Sequence, residues 1–194
     1  MELNIETEVR SRIARRGPIT FAEFVEIALY SPKGGYYMGE RKQHVDFFTS
    51  PEVHPAFGAL LGLYIEHLWE LLDRPSPFYI IEIGAGNGLL SKDILDYVSN
   101  MSTGFVDALE YVTLDRFFPE FYIGNSARIN TDVIPLSGIT GCFLSNELLD
   151  AFPVHRFQVE DSQLAEVYVT IENGEFVERM GIPSTAQLGK RLGD

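Results

Sequence analysis

The chain has 194 residues, 45% hydrophobic and 22% charged, with a mean hydropathy of +0.01, the make-up of a soluble globular protein able to bury one sizeable core. Its 15 basic residues against 28 acidic ones give a net charge of −13, so nucleic acid and anionic membrane are poor partners and cationic ones fit better; the plainer reading is a cytoplasmic protein kept soluble by its acids. The single Cys142 excludes an internal disulfide, and His44, His54, His67 and His155 show no ligand spacing, so no metal is expected.

The N-terminal MELNIETEVRSRIARRG places acids before its arginines and has no apolar core, which is neither a secretory nor a typical transit signal. Ile5, Val9 and Ile13 recur every four residues and predict a first helix that Gly17-Pro18 ends. Thr20 and Glu23 have the spacing of a capping box for a second helix, continued by Phe24, Ala28 and Leu29 and stopped by Ser31-Pro32, with a turn at 34–37. A third helix is expected from Ser50 as N-cap, with Pro51 at its first position and Phe57, Leu60, Leu61, Tyr64, Ile65, Leu68 and Leu72 on its buried face. Glu66, His67 and Glu70 interrupt its apolar run, so it is no membrane span.

After a proline-rich linker at 73–77, the run 78–83 reads as a strand that leads through Gly84-Ala85-Gly86-Asn87-Gly88 into a helix carrying Leu89, Leu90, Ile94, Leu95 and Val98. A second strand is expected over 108–114, ending on Asp115, and a later buried one over 141–145. Residues 116–140 have room for a short helix and a strand near Val133-Ile134. From Val154 the apolar period becomes two, and 164–171 with 176–177 predict a hairpin about Asn173-Gly174.

Glycines directly after a strand let the backbone turn sharply and approach a ligand. Here the spacing is E-x-G-x-G-x-G, from Glu82 through Gly84, Gly86 and Gly88, the form used by S-adenosylmethionine enzymes; dinucleotide sites place the third glycine one residue later. Glu82 would order the loop or receive the ligand's ammonium group, and Asp115, closing the second strand, would accept hydrogen bonds from the ribose hydroxyls. The segment SNELLDAFP, 145–153, leaves the carboxyl end of the later strand, and Glu147 and Asp150 would share a face if Glu147 opened a helical turn; two solvated acids near a helix start explain that spacing equally well.

The segments GPITFAEFVEIALYSPKGGYY, DFFTSPEVHPAFG, IIEIGAGNGLLSKDIL and LSNELLDAFPVHRF resemble, in order and spacing, the N-terminal half of the MidA family, whose mitochondrial member assists complex I assembly. The resemblance spans about residues 7–157 and implies an α/β, Rossmann-like methyltransferase fold that is incomplete here, with an N-terminal helical extension and the start of an inserted β region. It divides the chain into 1–77, helices and a cofactor-covering segment; 78–153, the cofactor-binding core; and 154–194, the hairpin insertion. It implies an S-adenosylmethionine site built by Glu82, Gly84, Gly86, Gly88 and Asp115, with Asp46, Thr49, Ser50 and Asn146 adjoining it.

The implied reaction is methyl transfer to an arginine of a protein, with a complex I subunit as the implied acceptor, Glu147 and Asp150 orienting the guanidinium and His155 a candidate for proton removal. A cytoplasmic location, or the mitochondrial matrix in a eukaryote, goes with it. A second polypeptide or a missing C-terminal half is expected to complete the sheet. The alternatives are a non-catalytic assembly factor, a small-molecule methyltransferase and, against the glycine spacing, a nicotinamide-dependent dehydrogenase. After Asp115 the family's L-R-x-x-Q helix pattern is replaced by Arg116-Phe117-Phe118-Pro119-Glu120.

Overall fold

A computed structural model describes residues 4–38, 49–160 and 163–192. The chain groups into two compact units, one of residues 1–43 with 149–194 and one of residues 44–148. This differs from a division at 77 and 153, because the N-terminal helices pack with the C-terminal strands.

In the first unit, helix α1 (Ile5–Arg16) is capped by the Asn4 side chain and closed by Gly17 at φ 80. Strand β1 (Ile19–Thr20) follows, then α2 (Phe21–Tyr30), where the Thr20 side chain accepts from the Glu23 N–H, the first half of the expected capping box, while the Glu23 carboxylate accepts from Arg12 at 2.7 Å. Far along the chain come β6 (Phe157–Glu160), β7 (Gln163–Glu172), β8 (Glu175–Gly181) and a last helix, α7 (Ala186–Leu192). Strand β7 pairs antiparallel with β6, β8 and β1. Asn173 and Gly174 both take positive φ, at 50 and 86, which is the primed turn expected of an Asn-Gly hairpin. Val9, Ile13, Ile19, Ile27 and Val169 form one buried cluster, joining α1, β1 and α2 to β7. The second segment of this unit opens with a single 3-10 turn, Leu149–Ala151.

The second unit holds α3 (Ser50–Val53), α4 (Ala56–Leu71), β2 (Phe78–Ile83), α5 (Leu89–Val98), α6 (Thr103–Ala108), β3 (Leu109–Asp115), β4 (Ala127–Asn130) and β5 (Gly141–Leu144). Its sheet is parallel in the order β4-β3-β2-β5, the α/β arrangement expected. Ile65, Trp69, Phe78, Ile80, Leu90, Ile94, Val98, Phe105, Ala108 and Tyr111 make its core, so α4, α5 and α6 cover one face of the sheet.

Three expectations are corrected. The N-cap is Thr49, not Ser50: its N–H and hydroxyl both donate to the Glu52 carboxylate, at 2.9 and 3.1 Å, and the helix breaks at His54-Pro55 before α4 begins. Of the expected inward face of α4, Ile65 is buried and Phe57 and Leu61 pack against the core, but Gly58, Gly62 and Trp69 are the other buried positions, while Leu60 and Tyr64 are 65% and 60% exposed and Leu72 also faces out. The strand between 116 and 140 is Ala127–Asn130, with Val133 and Ile134 in exposed loop and no helix in that interval.

Candidate cofactor site

Strand β2 is flanked by β3 on one side and β5 on the other. Chain connections therefore diverge at its carboxyl end, the switch point where open α/β sheets leave a crevice for ligands. The glycine turn lies there. Gly84, Gly86 and Gly88 have φ of 76, 56 and 80, a region that side-chain-bearing residues enter only at a cost. The Gly84 N–H donates to the Leu114 carbonyl at 2.8 Å and the Gly88 N–H to Ala85 at 2.9 Å, so the turn is tied to β3 and to itself.

Asp115 sits at the end of β3 beside this turn. One carboxylate oxygen accepts the Gly86 N–H at 2.9 Å and the other the Phe117 N–H at 3.0 Å. Each oxygen keeps a second lone pair, a pair of acceptors that suits the two hydroxyls of a ribose. The same carboxylate thus holds the glycine turn in place.

Glu82 is 3% exposed and accepts a hydrogen bond from the Tyr111 hydroxyl at 2.9 Å. Burial pushes its pKa up to about 7; the Tyr111 bond opposes this and the Asp115 charge adds to it. Tyr111 itself is pushed well above the ordinary phenol range, chiefly by burial and by the neighbouring Glu82, so it stays a donor. Glu82 is a carboxyl group poised to ionise when a cation comes near.

The remaining expected residues fall into three groups. Thr49 and Ser50 start α3, which lies against α5; Asp46 lies outside the described residues. Asn146 and Glu147 follow β5 at the same sheet end, where Leu148 covers Gly84: a Cβ on Gly84 would stand 2.7 Å from Leu148 Cδ1. Glu147 takes φ 49 and precedes the 3-10 turn, which starts at Leu149 and contains Asp150. It does not open a helical turn, so the shared helical face is not formed.

Asp150 and His155 belong to the first unit. There the His155 Nδ1 lies 2.6 Å from a carboxylate oxygen of Glu166, whose other oxygen accepts the Ser184 N–H at 2.5 Å. Glu166 is fully buried. Burial works to raise its pKa, but the hydrogen bonds from His155 and Ser184 outweigh it and hold the carboxyl below the usual range. Glu166, Tyr111 and Tyr122 were not singled out from sequence. Period two puts Glu166 on the face of β7 opposite Val167 and Val169, so alternation gave no signal for its burial. Among the described residues no group of His, Cys, Asp and Glu is arranged to hold a metal, and no helix is long and apolar enough to cross a membrane.

Residues 60–117 and 126–193 match the sequence model of the "Putative S-adenosyl-L-methionine-dependent methyltransferase" family. The chain belongs to this family. Among curated relatives, the mitochondrial protein arginine methyltransferase NDUFAF7 of Danio rerio is 31% identical over 87% of the chain and 47% of its own length. The human protein of that name is 27% identical over 83% and 44%, and the Drosophila melanogaster homologue 26% over 89% and 46%. A crystal structure of a Burkholderia thailandensis protein described as a "likely methyl transferase", bound to S-adenosyl-homocysteine, superposes with a TM-score of 0.75 at 25% identity, covering 97% of this chain and 52% of that one. The chain thus spans about half the length of the relatives it matches. The family assignment and the fold expected from the MidA resemblance are borne out.

Proposed function

We propose that the chain binds S-adenosylmethionine at the carboxyl end of β2 and takes part in methylating an arginine of a protein. The observation that carries this reading is the switch-point turn of Gly84, Gly86 and Gly88 held by the Asp115 carboxylate, in a chain whose family is defined by that cofactor. The arginine acceptor is suggested by the names of the relatives, and an accessible guanidinium suits a chain of net charge −13.

When bound, the cofactor supplies a sulfonium methyl whose carbon–sulfur bond breaks as a nitrogen–carbon bond forms, leaving S-adenosylhomocysteine and a proton to be removed. The protein's task is alignment of the attacking nitrogen. In this proposal Glu82, Gly84, Gly86, Gly88 and Asp115 hold the cofactor, with Asp46, Thr49, Ser50 and Asn146 beside it. Glu147 and Asp150 orient the guanidinium and localise its lone pair, and His155, held by Glu166, is the candidate for accepting the proton.

Strand β5 pairs with β2 alone among the described strands, so in this proposal its other edge is where further strands, from a continuation or a second polypeptide, would pair. The mitochondrial naming of the NDUFAF7 relatives suits the mitochondrial matrix if the chain is eukaryotic; in this proposal a bacterial chain works in the cytoplasm, and a complex I subunit is the corresponding acceptor.

Calorimetric titration of the chain with S-adenosylmethionine tests the site. Binding by the wild type, lost in folded Gly86→Arg and Asp115→Ala, is the expected result; binding untouched by both substitutions would sink it. Transfer of labelled methyl to an arginine-bearing peptide, lowered by Glu147→Gln or Asp150→Asn, tests the acceptor.

A further inference from the structure

Residues 118–125 fall between the two stretches that match the family. In a parallel sheet the connection from one strand to the next is usually a helix, and here residues 116–126 join β3 to β4 without one. This connection runs against the glycine turn. The Ile123 N–H donates to the Asn87 carbonyl at 2.9 Å, and the Tyr122 ring lies so close to Gly88 that a Cβ there would stand 2.5 Å from Tyr122 Cε2 and 2.8 Å from the Gly124 nitrogen. A Cβ on Gly124 would in turn meet the Tyr122 hydroxyl at 2.5 Å and Ser91 Oγ at 2.6 Å. The two backbones approach this closely only because both positions are glycine.

The Tyr122 hydroxyl is anchored on three sides. It lies 2.8 Å from Ser126 Oγ, 3.1 Å from Thr113 Oγ1 on β3 and 3.5 Å from Ser91 Oγ on α5, the last contact being long. Ser91 in turn donates to the Gly88 carbonyl at 2.9 Å. Phe118 packs edge-on to the Tyr122 ring at 5.3 Å between centroids, and the Arg128 guanidinium lies 4.7 Å from the Tyr122 ring centroid. Gly88, Leu89 and the first turn of α5 are thereby braced by a side chain that is not part of the glycine motif.

We propose that residues 116–126 form a strap across the second half of the glycine turn, and that Tyr122 is a positioning residue for the cofactor, acting by holding that turn in its binding shape. The cofactor part rests on the function proposed above. A turn with three residues at positive φ must be ordered before or during binding, and a strap that orders it beforehand lowers that cost.

The test is amide hydrogen exchange at Gly88 and Leu89 in the cofactor-free chain, with calorimetric titration by S-adenosylhomocysteine, on wild type, Tyr122→Ala and Tyr122→Phe. Tyr122→Ala should speed exchange at these amides by about tenfold or more and raise the Kd by about tenfold, with exchange in β7 unchanged; Tyr122→Phe, which keeps the ring, should stay within about threefold of wild type but measurably above it. A folded Tyr122→Ala with wild-type exchange at Gly88 and Leu89 overturns the strap. If that variant does not fold, Tyr122→Phe indistinguishable from wild type does the same. Faster exchange with unchanged affinity overturns the positioning role. No binding by the wild type sinks the cofactor reading instead, and the exchange arm still decides the strap.

Discussion

Glu82 shows how one side chain couples the site to pH. Its ordinary pKa of 4.5 is raised to about 7 in the folded chain, so the folded state holds the proton more tightly than the unfolded one. The stabilisation this gives is fully present below about pH 4.5 and is lost as pH rises through about 7, roughly 3 kcal/mol for a shift of that size. Urea unfolding at pH 5 and pH 8 should therefore show a drop in stability that Glu82→Gln flattens; equal drops in both proteins would remove Glu82 as the cause. Binding of a cationic ligand near this carboxyl should release a proton, read as a buffer-dependent heat in calorimetry at pH 7. The glycines give a second comparison at this scale. A Cβ at Gly84 meets the flexible end of Leu148, whereas one at Gly88 meets the Tyr122 ring and the Gly124 backbone. Both substitutions to alanine carry the strain of positive φ, about 1–2 kcal/mol, and Gly88→Ala should cost clearly more than Gly84→Ala in thermal unfolding.

Helix α4 shows the same effect at the scale of an element. Its apolar residues were expected to face inward, but it meets α5 through glycines: a Cβ on Gly58 would stand 2.6 Å from Asp93 Cβ, and one on Gly62 3.3 Å from Val98 Cγ2. Close approach through small residues turns Leu60 and Tyr64 outward. In an exposed helix, glycine to alanine is worth up to about 1 kcal/mol of stabilisation; at Gly58 overpacking should reverse the sign and destabilise by about 1–3 kcal/mol, with Gly62→Ala milder. Denaturant titration checks both, and a stabilised Gly58→Ala would contradict the packing described. Hydrophobic spacing alone could not reveal this, because a glycine adds nothing to an apolar stripe. By contrast, the caps at Thr20 and Gly17 and the Asn173-Gly174 turn were legible because their signals act within four residues.

For the whole molecule, the pairing of β1 with β7, Ile19 opposite Val169, makes one unit from segments at the two ends of the chain. Val9, Ile13 and Ile27 are buried around Val169, so Val9→Ala should cost about 1–3 kcal/mol. Deleting residues 1–20 should leave the β7–β8 hairpin susceptible to limited proteolysis, and a hairpin that stays resistant without them would show that it is stable unaided.

The sequence by itself determined the place and the form of the glycine turn. Gly84, Gly86 and Gly88 act through backbone geometry set by immediate neighbours, and the strands around them follow local apolar patterns. Only the tertiary structure decided which distant groups meet: Tyr111 on Glu82, Tyr122 on Gly88, Glu166 on His155 and β1 on β7. Such contacts depend on register between strands and on how closely two backbones approach, and a single chain read along its length does not carry either quantity.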